Sequence, residues 1–213
     1  ELKGAIELIE LLVNKGIIVS AGHSNANVDQ MREAEKAGLT RGAHLYNGMS
    51  AFTHRNPGIV GAILTSDKIY AELTVDGIHV DPVAAEVALR AKGSDKVTLV
   101  TDSMQATGLG DGMYLRPGNR KVIVENGAAR LESGNLAGSI LTMDRAVRNA
   151  VNMLHLSLPA AVSMASQVAA TSLGLGEHKG RLDRGMDADV VLLRQDLEVD
   201  TAIVMGDVVF RSQ

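Results

Sequence analysis

The chain has 213 residues, 46% hydrophobic and 22% charged, a globular composition that excludes disorder as its main description. A formal net charge of −4 without a basic run leaves no electrostatic face for nucleic acid, and the absence of Cys excludes disulfides and thiolate metal sites. No apolar stretch reaches the roughly 18 residues of a membrane span, and Glu1–Gly4 shows no basic leader, so a cytoplasmic protein with no nucleic-acid or membrane partner is expected.

Leu2–Val13 has apolar residues at helical spacing and Gly16 as its stop. Gly16–Ala21 reads as a short buried strand. Val28–Ala37 reads as a helix closed by Gly38, with Asn25 or Asn27 as its cap. Ala43–Tyr46 reads as a second strand, Pro57–Thr65 as a helix and Ile69–Val75 as a third strand. Asp81-Pro82 is a helix start, a cap followed by Pro in the first turn, and that helix runs to Lys92. Val97–Val100 reads as a fourth strand. The strand starts near 17, 43, 69 and 97 give units of 26 to 28 residues. A (β/α)8 barrel allots roughly 31 residues to each unit, and a small doubly wound sheet is the alternative. Only 2% of residues are aromatic, which suits fully buried aliphatic strands and argues against base stacking on single-stranded nucleic acid.

The texture changes after residue 110. Met113–Leu131 alternates apolar with polar residues around an Asn126-Gly127 hairpin signal. Ser139–Leu156 and Pro159–Leu173 read as helices. Ala188–Leu193 and Thr201–Phe210 read as strands, the latter around Gly206-Asp207.

Polar residues gather where the four strands end: His23, His44 with Asn47, Asp76 with His79, and Asp102. Parallel strands present those ends on one rim, where α/β sites form. His23 and His44 suit a borderline divalent ion such as Zn²⁺ through imidazole nitrogen. Asp102 suits a general base, and Arg55 with His79 suits an anionic group. Each has a plainer alternative: a hydrogen-bonded structural His, a turn-capping Asp102, an Asp76-Gly77 turn signal, an Asn47 bonded to its own backbone, an Arg55 that is merely solvated. His155 reads as structural, His178 as a surface residue and His54 as ambiguous. No phosphate-loop or dinucleotide pattern is correctly placed, since Gly108-Leu109-Gly110 lacks a following helix.

Ala21-Gly22-His23-Ser24, His44-Leu45-Tyr46-Asn47-Gly48-Met49, Asp76-Gly77-Ile78-His79 and Val100-Thr101-Asp102-Ser103 occur in that order. Leu136-Ala137-Gly138-Ser139, Leu141-Thr142-Met143 and Gly185-Met186-Asp187-Ala188-Asp189 follow. The set resembles the N-acetylglucosamine-6-phosphate deacetylases of the amidohydrolase superfamily, over nearly the whole chain. The resemblance implies the second half of a metal-dependent (β/α)8 TIM-type barrel plus part of a small β-sandwich domain. It implies His23 and His44 as metal ligands, with Zn²⁺ as the expected ion and Fe²⁺ or another divalent ion as alternatives. Asp102 is implied as catalytic acid/base, and Asn47, Gly48, Arg55, His79, Leu136, Ala137 and Gly138 as contacts to an amino-sugar phosphate. It further implies a homodimer in which Arg55 reaches the neighbouring subunit's site. Enzymes of that family are nearly twice this length, so strands five to eight fall in 1–110 and a β-hairpin insertion in 111–135. Helices completing the barrel fall in 136–185 and sandwich strands in 186–213, with an acidic ligand expected upstream of Glu1. An amidohydrolase acting on another N-acyl sugar or a cyclic amide, and a non-catalytic sugar-phosphate binding half-barrel, are the alternatives.

Overall fold

Sequential alternation of helix and strand produces a sheet wound in one direction. In the computed structural model, which describes residues 1–116, 118 and 120–212, β1 (Ser20–Ala21), β2 (Arg41–Gly42), β3 (Tyr70–Leu73) and β4 (Val97–Leu99) lie side by side in chain order. All three pairings are parallel. Parallel neighbours joined by right-handed crossovers in unbroken order carry their helices on one face. A doubly wound sheet would instead reverse its order at a switch point. The winding is therefore that of a TIM-barrel-related wall. The helices α1 (Ala5–Asn14), α2 (Val28–Lys36), α3 (Gly58–Thr65) and α4 (Pro82–Lys92) pack each on the next.

Local chemistry sets several boundaries. Asn27, not Asn25, caps α2: its side chain accepts from the Gln30 N–H while the Gln30 side chain accepts from the Asn27 N–H. Asp81 caps α4 by accepting from the Val83 N–H at 2.8 Å, with Pro82 in the first turn. The strand expected over Ala43–Tyr46 lies two residues earlier, and 43–48 is a turn. Leu45 is nevertheless fully buried, which is why that stretch reads as a strand. Gly16–Val19 is likewise not strand, and Ile17 and Ile18 are exposed.

The core is aliphatic, with Leu45, Ile59, Ile63, Ile69, Leu73, Leu99, Leu141 and Met164 fully enclosed. Helix α3 is buried from Gly58 to Leu64 and presses on β2. A methyl group added at Gly42 would stand 2.4 Å from Ile63 Cδ1. Gly42→Ala is therefore expected to destabilise the protein by about 1–3 kcal/mol through overpacking. Denaturant unfolding of the variant checks this, and adding Ile63→Val should recover part of the loss.

Beyond the parallel sheet, β5 (Gly112–Arg116), β6 (Arg120–Glu125), β7 (Ala128–Leu131) and β8 (Leu136–Gly138) form an antiparallel meander around Val122, Val124, Ala129 and Ala137. Pro117 and Asn119, within the expected 111–135 insertion, lie outside the described residues. The helix expected over Ser139–Leu156 spans only α5 (Met143–Leu154), because Leu136–Gly138 is the fourth strand of the meander and Ser139 bridges to Ser103. The helix expected over Pro159–Leu173 is two helices, α6 (Leu158–Ala165) and α7 (Gln167–Ser172). They break at Ser166, whose hydroxyl bonds back to the Val162 carbonyl at 2.6 Å. Helices α5–α7 pack against β4. The chain ends in an antiparallel sheet of β9 (Val190–Leu193), β10 (Val199–Val204) and β11 (Asp207–Arg211), with β10 central.

Candidate active site

The parallel winding brings the segments that follow all four strands to one edge. Just past its strand, each of His23, His44 and Asp102 adopts positive φ, at 46°, 28° and 49° respectively. Non-glycine residues avoid that region, and such strain concentrates where side chains must be aimed.

His23 and His44 meet edge to face with ring centroids 4.7 Å apart. The His44 Nδ1 is buried without a hydrogen-bond partner. An orphaned imidazole nitrogen beside a second imidazole suits a borderline divalent ion. Among the described residues no group of three or more His, Asp or Glu is close enough to hold a metal. Gly48 is packed against this pair: a Cβ there would lie 2.4 Å from His23 Nδ1, and its φ of 63° disfavours other residues.

Asp102 is exposed and its carboxylate makes no hydrogen bond or ion pair among the described residues, which removes the turn-capping alternative. Its carbonyl accepts from the Ser139 N–H at 3.1 Å. That contact joins the loop after β4 to the Leu136–Gly138 strand. Ala137 is buried, and its carbonyl is taken by Arg116 Nη1 at 2.7 Å. Gly138 has a φ of 126°, and a Cβ there would lie 3.4 Å from Met104 Cβ.

Asn47 does bond its own backbone, through Nδ2 to the carbonyls of His44 and Leu45. It thus braces the turn that carries His44. Arg55 lies in the exposed stretch Ala51–Asn56, and its guanidinium makes no hydrogen bond or ion pair among the described residues. His79 has a side chain 9% exposed, with Nδ1 2.7 Å from Asp76 Oδ2. His155 caps α5 at a φ of 54°, and His54 and His178 are exposed. Ser139, buried at the junction of these loops, has no signature of its own in the sequence beyond its place after Leu136-Ala137-Gly138.

Residues 1–209 match the amidohydrolase family. The chain belongs to that family. It is 46% identical over 198 residues to the N-acetylglucosamine-6-phosphate deacetylase of Lysinibacillus sphaericus, a match covering 93% of this chain and 51% of that protein. It is 40% identical over 207 residues to the N-acetylgalactosamine-6-phosphate deacetylase of Shewanella sp. (strain ANA-3), covering 97% and 52%. This amidohydrolase therefore spans about half the length of those relatives. The N-acetyl-D-glucosamine-6-phosphate deacetylase of Mycobacterium smegmatis, solved as an alanine mutant with N-acetyl-D-glucosamine-6-phosphate, superposes with a TM-score of 0.91 at 37% identity. That match covers 98% of this chain and 55% of that one. Among the described residues of this family member, no helix is long and apolar enough to cross a membrane.

Proposed function

We propose that this chain is the metal- and substrate-bearing part of a deacetylase that hydrolyses the acetamide of N-acetylglucosamine 6-phosphate to glucosamine 6-phosphate and acetate. The observation that carries the reading is the convergence of His23, His44 and Asp102 on one sheet edge, each in a strained backbone conformation. Its four parallel strands are strands five to eight of an eight-stranded barrel. The exposed Leu2 before α1, Leu8 and Leu11 on α1, and Ile17 and Ile18 before β1 supply an apolar edge for the other half. The apolar faces of β9–β11, with Val191, Val208 and Phe210 exposed, fit part of a β-sandwich in the same way.

His23 and His44 would hold the ion, with Zn²⁺ suited to two imidazole nitrogens, and an acidic ligand would complete the set. Such an ion, when bound, polarises a carbonyl and makes water acidic near neutral pH. Asp102, whose carboxylate has no partner among the described residues, takes the proton of the attacking water and returns it to the departing amine nitrogen. Gly48 keeps the His23 ring in place, and Leu136, Ala137 and Gly138 form a wall beside Asp102. His79 and Arg55 bind the phosphate, Arg55 from a loop that extends to the site of a second subunit in a homodimer. A sugar phosphate does not cross a membrane unaided, which places this reading in the cytoplasm.

The phosphate assignment gives the test. A charge-assisted hydrogen bond contributes about 1.5–3 kcal/mol. Arg55→Ala in the whole protein should therefore lower kcat/KM on N-acetylglucosamine 6-phosphate about 10- to 150-fold, and hardly change it on unphosphorylated N-acetylglucosamine. Equal losses on both would show that Arg55 does not read the phosphate. Mixing Arg55→Ala with Asp102→Asn subunits should restore activity if the site is shared. The Shewanella relative favours the C4 epimer, N-acetylgalactosamine 6-phosphate, as the second substrate, and a side-by-side assay decides between them.

A further inference from the structure

The loop after β3 holds a buried carboxylate that the proposed reaction does not use. Asp76 is 6% exposed at its side chain. Its Oδ1 accepts from the backbone N–H groups of Ile78 at 2.9 Å and His79 at 2.8 Å. Its Oδ2 accepts from His79 Nδ1 at 2.7 Å and from the Ser139 hydroxyl at 3.2 Å. Burial pushes the Asp76 carboxyl up, but the hydrogen bonds from the His79 side chain and from the backbone at 78 and 79 outweigh it and hold the group below its ordinary value. An ionised carboxylate only accepts, so His79 Nδ1 carries a proton and Nε2 is the ring nitrogen left for a ligand; a phosphate oxygen also accepts, so Nε2 must carry a proton as well when phosphate is bound.

Ser139 ties this pair to the rest of the site. It is 1% exposed. Its Oγ donates to Asp76 and accepts from the Leu141 N–H at 2.9 Å. Its N–H donates to the Asp102 carbonyl, and its carbonyl accepts from the Met104 N–H at 2.8 Å. One residue, 63 positions beyond Asp76, thereby fastens the 76–79 loop to the 102–104 loop.

We infer that Asp76 and Ser139 are positioning residues. Asp76 fixes the tautomer and ring plane of His79, and Ser139 holds Asp76 in register with the Asp102 loop. The inference rests on the reading of His79 as a phosphate contact. A ring held by a carboxylate presents one defined nitrogen to the ligand, and an unheld ring presents either.

The decisive experiment is ¹⁵N–¹H correlation spectroscopy of the imidazoles, above the pH at which they titrate, combined with kinetics on the whole protein. Wild-type His79 should carry its proton on Nδ1. Asp76→Asn keeps an oxygen for the backbone N–H groups but offers the ring an N–H donor, so the proton should move to Nε2. A neutral ring with its proton on Nε2 still donates to phosphate but lacks the charge that a carboxylate partner supports, so KM for N-acetylglucosamine 6-phosphate should rise about 10-fold with a much smaller change in kcat. Ser139→Ala should move KM in the same direction by less. A wild-type proton on Nε2 overturns the inference without any variant, so a poorly folding Asp76→Asn does not shelter it. An unchanged tautomer or KM in a folded Asp76→Asn also overturns it. If His79→Ala raises KM and Asp76→Asn does not, the inference alone fails. If His79→Ala leaves KM unchanged, the phosphate reading beneath it falls and takes this substrate role with it.

Discussion

Asp102→Asn in the whole protein is expected to lower kcat on N-acetylglucosamine 6-phosphate by at least about 10²-fold, the low end for general acid–base catalysis, while KM changes little. The asparagine has the shape and reach of the aspartate but cannot take a proton from water. A purely structural role predicts the opposite pattern, a loss of stability with kcat preserved. The structure separates the two cases in advance, because the contact that holds the loop is made by the Asp102 backbone carbonyl to Ser139, not by the carboxylate. The substitution should therefore leave the loop and its unfolding transition nearly intact. A near-normal kcat in a folded Asp102→Asn protein would remove Asp102 from the reaction.

The alternation of helix and strand was legible because its signals are local. Asp81-Pro82 and the Gly38 stop act over three or four residues, and the boundaries of α2 and α4 fall within a position or two of the sequence reading. The displaced second strand shows where that logic fails. Leu45 is buried like a strand residue, yet it lies in a turn whose Tyr46 has a φ of 75° and whose hydroxyl reaches the Ala84 carbonyl on α4. Those contacts are tertiary and leave no periodicity behind. Ser166 divided a helix by a hydroxyl bond that apolar spacing does not record.

The site was legible in composition and order, and less so in how its members are held. His23, His44 and Asp102 stand out because polar residues close otherwise apolar strands. Their positive φ values, which turn the side chains, have no counterpart in residue type. Asn47 and Gly48 read as sugar contacts, and the structure adds that Asn47 bonds the backbone of the His44 turn and that Gly48 packs against the His23 ring. Asp76 read equally well as a turn residue, and only its long-range bond to Ser139 shows it to be part of a network. Contacts between positions dozens of residues apart are set by the fold and not by spacing.

His23→Ala and His44→Ala are each expected to abolish metal retention by the whole protein. Loss of a residue that merely orients a ligand costs about 10- to 100-fold in metal affinity, so loss of a ligand itself should exceed about 100-fold. The two rings are in edge-to-face contact, and His44 Nδ1 has no protein partner to compensate for a lost ion. Each alanine also opens a gap beside the other ring, which frees it to turn. Gly48→Ala should fall between wild type and these variants, because a methyl group 2.4 Å from His23 Nδ1 tilts the ring without removing it. Elemental analysis of the purified proteins, with acetate release measured in parallel, distinguishes the cases. Metal and activity should fall together in the two alanine variants, and added Zn²⁺ should restore more activity to Gly48→Ala than to either of them. Undiminished metal content in His23→Ala or His44→Ala would strike that residue from the ligand set and move the ion elsewhere on the rim.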